Sequence, residues 1–294
     1  MMIGARTILR LRRRLVRIPL PLRQVLSSEL PELSELADGA DGFLVNSLPE
    51  PLLERLRTSR PGLKAFVRQR YRRSYASLEG GFDAYLARFS PKSRSTLKRK
   101  LRRFAERSGG ALDLRLYRTE EEAEPFYRHA RAVSATTYQE RLLGAGLPEG
   151  EGPLAAMRAL AARDAMRGWV LFLEGRPVSY LYAPADGDTL IYSHLGYDPA
   201  AADLSPGTVL QFEAMRQLMD EGRFAFFDFT EGEGQHKLQF GTGTVDCVDV
   251  LLLRPGMANS LAGYALNGFD GAVAGAKKVV RRFGLQRLAR RIRR

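Results

Sequence analysis

The sequence contains few of the residues that form covalent or metal cross-links. Cys247 is the single cysteine among 294 residues, which excludes an internal disulfide and a thiolate zinc site. The three histidines, His129, His194 and His236, are far apart in the chain, and no set of histidine, cysteine and carboxylate residues has metal-ligand spacing. We therefore expect no metal cofactor.

Long apolar segments are also missing. No run approaches the roughly 18 apolar residues of a membrane-spanning helix. The apolar stretch at 18–22 is short and contains two prolines, unlike the core of a signal peptide. The sequence has no phosphate-binding loop ending in Gly-Lys-Ser/Thr and no Gly-x-Ser-x-Gly nucleophile elbow. These absences favour a cytoplasmic protein and argue against a P-loop nucleotidase or an α/β-hydrolase.

The net charge of +13 is concentrated at the two ends of the chain. Residues 1–110 hold 24 basic and 10 acidic residues, residues 277–294 hold nine basic and no acidic residues, and the middle holds 13 against 23. The basic flanks could be a solvated surface. They could also lie on an anionic membrane at its inner face, or hold an acidic carrier protein or a tRNA. Base-stacking aromatics are not interleaved with the terminal arginines, which disfavours other nucleic acids.

Hydrophobic periodicity predicts alternating strands and helices. Residues 1–24 are interpreted as a basic surface arm, helical as far as Arg17. The predicted strands lie at 42–48, 64–76, 111–118, 168–173, 177–183, 190–197, 224–230 and 245–253. The predicted helices lie at 82–89, 91–107, 120–142, a segment ending near 167, 206–221, 235–240 and 276–294. Short Gly-containing turns at 174–176 and 186–188 indicate an antiparallel meander, and the whole order predicts a mixed sheet with helices on both faces.

Three segments carry a resemblance to a known family. They are Phe82–Leu86 with Lys92–Leu101, Gly196–Pro199 with Leu204–Thr208, and Phe227–Phe229 with Gly232–Lys237. In this order and spacing they resemble the GNAT acyltransferases of the cellulose-biosynthesis type, over about residues 80–255. Relatives commonly show an acidic residue and a tyrosine where this chain has Gly234 and His236.

The resemblance implies an α/β (α+β) fold with a GNAT-type, mostly antiparallel sheet flanked by helices. It implies three regions: an N-terminal arm and partial strand/helix region at 1–80, the acyltransferase domain at 81–255, and a basic helical extension at 256–294. The donor would be acetyl-CoA or another acyl-CoA, and no metal would be required.

The start of the predicted helix at 206 has the composition of an anion site. Ser205 can cap the helix, Pro206 suits its first position, and Gly207 lets a ligand approach the backbone. Free N–H groups at a helix start attract a pyrophosphate, although the same residues could simply begin a helix. The resemblance implies that the CoA diphosphate rests on Ser205, Gly207 and Thr208, and that the pantetheine arm pairs with His194, Leu195 and Gly196.

Acyl transfer from a thioester needs a neutral nucleophile, a donor to the oxyanion and a proton for the thiolate. By resemblance, the residues after the strand at 224–230 border the cleft. Glu231 or Glu233 is the candidate base, and His236 or Tyr192 the candidate acid. Because strand residues alternate, Tyr192 and His194 are predicted to share a face. A structural reading remains open for each: turn carboxylates are often only solvated, and either ring could point into a core. Lys237 could bind phosphate or pair with Asp228.

The resemblance therefore implies an acyl-CoA-dependent acyltransferase, most simply an N-acetyltransferase, that acts on an amine or hydroxyl of a sugar or cell-envelope polysaccharide precursor. Two alternatives stay open. One is a FemAB-type transferase that uses aminoacyl-tRNA on the same fold, and the other is a noncatalytic GNAT-fold scaffold held at a membrane by its basic ends.

Overall fold

The computed structural model describes residues 13–137, 146–232 and 234–266, and the backbone of residues 2–3 and 6–7. The chain divides into two compact units, one formed by Met1–Arg72 with Val245–Arg294 and the other by Arg73–Thr244. Within the described residues, no helix is both long and apolar enough to cross a bilayer. The domain limits expected at 80 and 255 stay a prediction.

Twelve strands and eight α-helices have both ends within the described segments, and residues 257–266 are helical as well. The strands are β1 (Met2–Ile3), β2 (Arg6–Thr7), β3 (Leu15–Pro19), β4 (Gly42–Pro49), β5 (Lys64–Ser77), β6 (Asp113–Tyr117), β7 (Met166–Leu173), β8 (Arg176–Asp186), β9 (Thr189–Ile191), β10 (His194–Tyr197), β11 (Phe226–Glu231) and β12 (Gly243–Leu253). The helices are α1 (Leu22–Ser27), α2 (Leu53–Ser59), α3 (Gly81–Ala87), α4 (Pro91–Arg107), α5 (Glu120–Ser134), α6 (Glu151–Ala161), α7 (Pro206–Glu221) and α8 (Gln235–Phe240).

The first unit has the strand order β3-β4-β12-β5, with β3 parallel to β4 and β12 antiparallel to it. The prediction of a surface arm helical to Arg17 is wrong here, because 15–19 form strand β3. Val16 and Ile18 pack against the buried cluster of this unit while Arg17 is exposed. Strand β3 thus directs alternate side chains to its two faces, so that Val16 and Ile18 contact the core while Arg17 faces solvent.

The second unit has the order β5-β11-β9-β8-β7-β6, and β10 also pairs with β8. Its pairs are antiparallel except β9 with β11. Side chains of β7 alternate between two buried clusters: Trp169 and Leu171 face α4 and α7, and Val170 and Phe172 face α5 and α6. The predicted class is confirmed, a mostly antiparallel sheet flanked by helices.

Local end signals explain the best-predicted helices. The Ser90 hydroxyl accepts the Ser93 N–H at 3.2 Å ahead of Pro91, so α4 has the predicted bounds. The Glu122 carboxylate accepts the Thr119 N–H at 3.0 Å in a capping box that starts α5.

Three predicted boundaries are wrong. The helix expected to reach residue 167 ends at Ala161, and Arg167 lies inside β7, 1% exposed and paired with Glu221 and Asp164. These carboxylates neutralise the guanidinium charge, and this allows Arg167 to be buried within a strand.

The helix expected to reach residue 142 ends at Ser134, although 138–145 lie outside the described residues. The strand expected at 190–197 is broken into β9 and β10. The helix predicted at 276–294 also lies outside the described residues.

Candidate functional site

A cavity of about 260 Å³ lies at the start of α7 in the second unit. Six of the residues predicted for the site line it: Tyr192, Leu195, Ser205, Gly207, Thr208 and His236. The rest of its lining consists of Tyr197, Ala202, Pro206, Gln211 and Phe240. The cavity thus lies between the start of α7, the segment that leads into β10, and helix α8.

The start of α7 differs from the predicted cap. Ser205 has left-handed backbone angles (φ 54°, ψ 47°) and its side chain caps nothing. Its carbonyl instead accepts the N–H groups of Thr208 and Val209 at 3.0 and 3.1 Å. Among the described residues, the Gly207 N–H has no acceptor. The start of α7 therefore offers one free backbone N–H beside the cavity, whereas several free N–H groups were expected.

A lysine from α4 adds positive charge at this point. The Lys100 Nζ donates to Thr208 Oγ1 at 3.3 Å. A Cβ on Gly207 would lie 3.3 Å from Leu195 Cδ2 and 3.5 Å from Tyr197 Cδ1, so a side chain here would crowd the cavity wall. One amide, one ammonium and one hydroxyl thus stand within reach of an anion, and a helix dipole points its positive end at them.

Tyr192 and His236 form a stacked pair on the cavity wall, with ring centroids 5.3 Å apart and an interplanar angle of 24°. Burial raises the pKa of the Tyr192 phenol above its usual value, so it stays protonated at neutral pH. Burial, and then the charge of Lys237, lower the pKa of His236 below 6.5. The pair therefore presents a hydroxyl that can donate a proton and a neutral imidazole that can accept one.

The two departures from the resembled family depend on each other in space. A Cβ on Gly234 would lie 2.7 Å from His236 Cε1, closer than such atoms approach. An acidic side chain at this position would displace the imidazole from Tyr192. Glycine at 234 thus makes room for histidine at 236.

The prediction that Tyr192 and His194 share a face is wrong. The Tyr192 N–H donates to Asp228 O at 2.8 Å and the Ser193 N–H to Tyr182 O at 3.2 Å, so the chain changes neighbours between β9 and β10. Tyr192 packs on Phe227 and Phe229, whereas His194 stacks on Tyr182, away from the cavity lining. Burial lowers the pKa of His194.

Gly196 also lies outside the cavity lining, and its missing side chain has a packing role. A Cβ here would lie 2.5 Å from Tyr180 Cε1 and 3.0 Å from Thr137 Cγ2. We expect Gly196→Ala to lower the free energy of unfolding by about 1–3 kcal/mol, because overpacking a dense core forces neighbours to shift. Urea denaturation measures this directly. Gly152→Ala is the control, since nothing lies within 4 Å of the place that its Cβ would take, and equal stability of both variants would contradict the packing role.

Lys237 fixes a turn through backbone carbonyls. Its Nζ donates to Phe229 O and Glu231 O, and burial lowers its pKa although the nearby Asp228 and Glu231 charges oppose this. The alternative ion pair with Asp228 is not formed in the described structure, because Arg73 holds that carboxylate. Glu231 is exposed and does not line the cavity, and Glu233 lies outside the described residues.

A second depression, the α4 groove, has a volume of about 610 Å³ and is lined by Arg94, Lys98, Arg99 and Arg102 together with Leu86, Pro91 and Ser95. Arg102 lies 3.6 Å from Glu106. No carboxylate of the described residues pairs with Arg94, Lys98 or Arg99. Like charges four residues apart repel on a helix by a few tenths of a kcal/mol per pair, so α4 keeps this row at a cost to its own stability.

Sequence reasoning missed Gln211, Lys100 and Arg73. Gln211 follows Gly207 by four residues, which places both on one face of α7, and it is a polar residue within an apolar stripe. That interruption is the signal that could have identified it. The contact of Lys100 with Thr208 joins two helices far apart in sequence, and no local pattern encodes it.

Comparison with known proteins finds a matching family model. The family model described as "Acetyltransferase (GNAT) domain" matches residues 91–238, just over half of the chain. No curated protein matches.

Two solved structures show a similar fold. The C-terminal domain of a candidate lysylphosphatidylglycerol synthetase from Agrobacterium fabrum is 14% identical, with a TM-score of 0.53 over 80% of this chain and 73% of that one. FemX is 11% identical, with a TM-score of 0.54 over 73% of this chain and 72% of that one. At these identities the likeness concerns the fold alone. The family match and the cavity at the start of α7 together lead to one conclusion: the chain belongs to the acetyltransferase (GNAT) domain family.

Proposed function

We propose that the chain is an acyl-CoA-dependent acyltransferase of the cellulose-biosynthesis type. It would transfer an acyl group, most simply acetyl, to an amine or hydroxyl of a sugar or cell-envelope polysaccharide precursor. The observation that carries the proposal is the cavity at the start of α7, which is lined by the Gly207 amide, by the Thr208 hydroxyl bonded to Lys100, and by the stacked rings of Tyr192 and His236.

The donor seat is argued from charge and size. The Gly207 amide and the Lys100 ammonium would hold a phosphate of the donor, each through a charge-assisted hydrogen bond. The cavity of about 260 Å³ is slightly smaller than typical ligand pockets, which span about 300–1,000 Å³. It would therefore hold only one part of a molecule as large as CoA, with the remainder on the surface.

The proton transfers are argued from the stacked pair. The acceptor amine attacks the thioester carbonyl carbon, the C–N bond forms, the C–S bond breaks, and the thiolate takes a proton. His236, neutral because its pKa is lowered, would remove the proton from the amine. Tyr192, which is protonated at neutral pH, would supply one to the thiolate as the C–S bond breaks, and the proton taken up by His236 would then restore the phenol. Glu231 is less suited to the base role because it lies outside the cavity lining, which includes His236.

A calorimetric titration with CoA tests the donor. We expect saturable binding to the wild-type chain and at least tenfold weaker binding to Gly207→Val, because the new side chain meets Leu195 and Tyr197. Gly152→Val is the matched control and should bind CoA like the wild type. Absence of heat at millimolar CoA would remove the acyl-CoA assignment, and equal affinity of Gly207→Val would contradict the proposed seat.

A second candidate, an aminoacyl-tRNA-dependent transferase of the FemAB type, is supported by the α4 groove. Its unpaired arginines and lysine suit the phosphate backbone of a polyanion, and Lys100 continues the basic helix to the cavity. No large exposed hydrophobic side chain lies on α4, all of which is described, and this disfavours membrane insertion there. The fold shared with FemX is consistent with this candidate.

The salt dependence of binding separates the two donors. If tRNA is the donor carrier, its affinity should fall steeply with salt, and changing Arg94, Lys98 and Arg99 together to glutamine should reduce the log–log slope by about 2–3. Filter binding at several salt concentrations measures both. A chain that binds CoA and shows no tRNA binding at low salt would eliminate this candidate.

A further inference from the structure

Gln211 is a buried amide without a partner. Its side chain lies on the buried face of α7 and is 1% exposed. Neither Oε1 nor Nε2 has a hydrogen-bond partner among the described residues. Buried amides in folded proteins are nearly always hydrogen-bonded, because each unpaired group loses its bonds to water and gains nothing in exchange. The Gln211 amide is therefore free to form hydrogen bonds with a bound ligand.

The position of Gln211 relates it to the proposed donor seat. It lines the same cavity as Gly207, Thr208 and Tyr192. Four residues separate it from Gly207, which is one helical turn or about 6 Å along the axis on the same face. A ligand that rests its phosphate on Gly207 would thus have its adjoining segment near Gln211.

We propose that Gln211 recognises an amide of the ligand, namely one in the amide-bearing arm of the acyl-CoA donor. A carboxamide offers a donor and an acceptor side by side, and a secondary amide is its complement, since it accepts through its carbonyl and donates through its N–H. Leu195 and Phe240, which also line the cavity, supply apolar contacts for the methylene groups of such an arm. This inference rests on the proposed acyl-CoA function.

The chain offers a matched control on the same helix. Gln217 also lies on α7, but its Oε1 accepts the Trp169 Nε1–H at 2.9 Å, so its polar group is already used within the fold. Gln217 does not line the cavity. Replacing each glutamine by methionine, which has nearly the same length, separates a recognition residue from a structural one.

The experiment measures CoA affinity and thermal stability of Gln211→Met and Gln217→Met. For Gln211→Met we expect CoA binding to weaken about tenfold to a hundredfold. The Tm of the ligand-free protein should rise by about 2–4 °C, because an unpaired buried amide is gone. For Gln217→Met we expect the Tm to fall, since Trp169 loses its acceptor, with CoA affinity unchanged. ADP, which has the diphosphate but no arm, should bind both variants like the wild type.

Several results would overturn the inference. CoA affinity of Gln211→Met within twofold of wild type would show that an internal water or nothing at all satisfies the amide. An equal loss of CoA and ADP affinity would show a disturbed site rather than a lost contact. Gln211→Leu repeats the measurement if the methionine variant does not fold. Failure of the wild type to bind CoA is a different result, because it removes the proposed function itself.

Discussion

Replacing His236 by glutamine is expected to lower the rate of acyl transfer by about 10²–10⁴-fold, the usual contribution of a general base. Glutamine keeps a polar side chain against Tyr192 but cannot take a proton from the acceptor amine. The ring of His236 stacks on Tyr192 at 5.3 Å within the cavity, so its loss acts at the proposed reacting centre. Release of free CoA thiol from acetyl-CoA, with a panel of amino sugars as acceptors, measures the rate.

The pH dependence of kcat/KM is an independent test of the base role of His236. Burial and the Lys237 charge lower the pKa of His236 below 6.5. A base must be deprotonated to act, so kcat/KM should show a limb that falls as the pH drops through this pKa, below pH 6.5, in addition to any limb from the acceptor amine itself. The His236→Gln variant should lose this limb.

His129 provides the matched control for this prediction. It lies on α5 with its ring 5.2 Å from Phe172 and outside the cavity lining. His129→Gln should therefore keep the wild-type rate and the wild-type pH profile. A His236→Gln enzyme that retains more than half of the wild-type rate would rule out the base role, whatever its pH profile.

Replacing Arg73 by methionine is expected to reduce the free energy of unfolding by about 3–5 kcal/mol, because it leaves the Asp228 carboxylate buried without its cation. Arg73 and Asp228 are 8% and 0% exposed. The Arg73 Nε donates to both carboxylate oxygens, at 3.2 and 3.1 Å. Urea denaturation of the purified chain gives the free energy.

The same ion pair supports the site through the backbone. Asp228 Oδ1 accepts the Thr230 N–H at 2.8 Å, where Thr230 has a φ of 61°, and Asp228 O accepts the Tyr192 N–H at 2.8 Å. The variant should therefore lose CoA affinity as well as stability.

An exposed ion pair serves as the control for Arg73. Arg103 lies 3.2 Å from Asp203, with side chains 61% and 64% exposed. Arg103→Met should cost less than about 1 kcal/mol, since solvent screens such pairs. Equal losses for the two arginine variants would contradict the argument from burial.

The sequence predicted elements whose ends are marked locally. Helices α4, α7 and α8 match their predicted bounds, since proline, glycine or a capping serine stands at their ends. The break between β9 and β10 was missed because no proline interrupts residues 190–197. The break arises because the Tyr192 N–H bonds to Asp228 O whereas the Ser193 N–H bonds to Tyr182 O. These partners are distant in sequence, so no local pattern predicts the break.

The candidate site was predictable to a similar extent. The residues at the start of α7 and the pair Tyr192 and His236 were identified from composition together with the family resemblance, and they line one cavity. The positions of His194 and Gly196 outside the cavity lining were not recoverable, because their orientation follows from the strand break. Gln211 was passed over since a single polar residue in an apolar stripe gives no partner to infer.

The central claim is that the cavity at the start of α7 receives the thioester donor. A crystal structure of the chain grown with acetyl-CoA tests this most directly. We predict density for a phosphate at the Gly207 N–H and Lys100 Nζ, with the acyl end beside Tyr192 and His236. Density for the donor elsewhere on the chain, with this cavity filled only by water, would contradict the account.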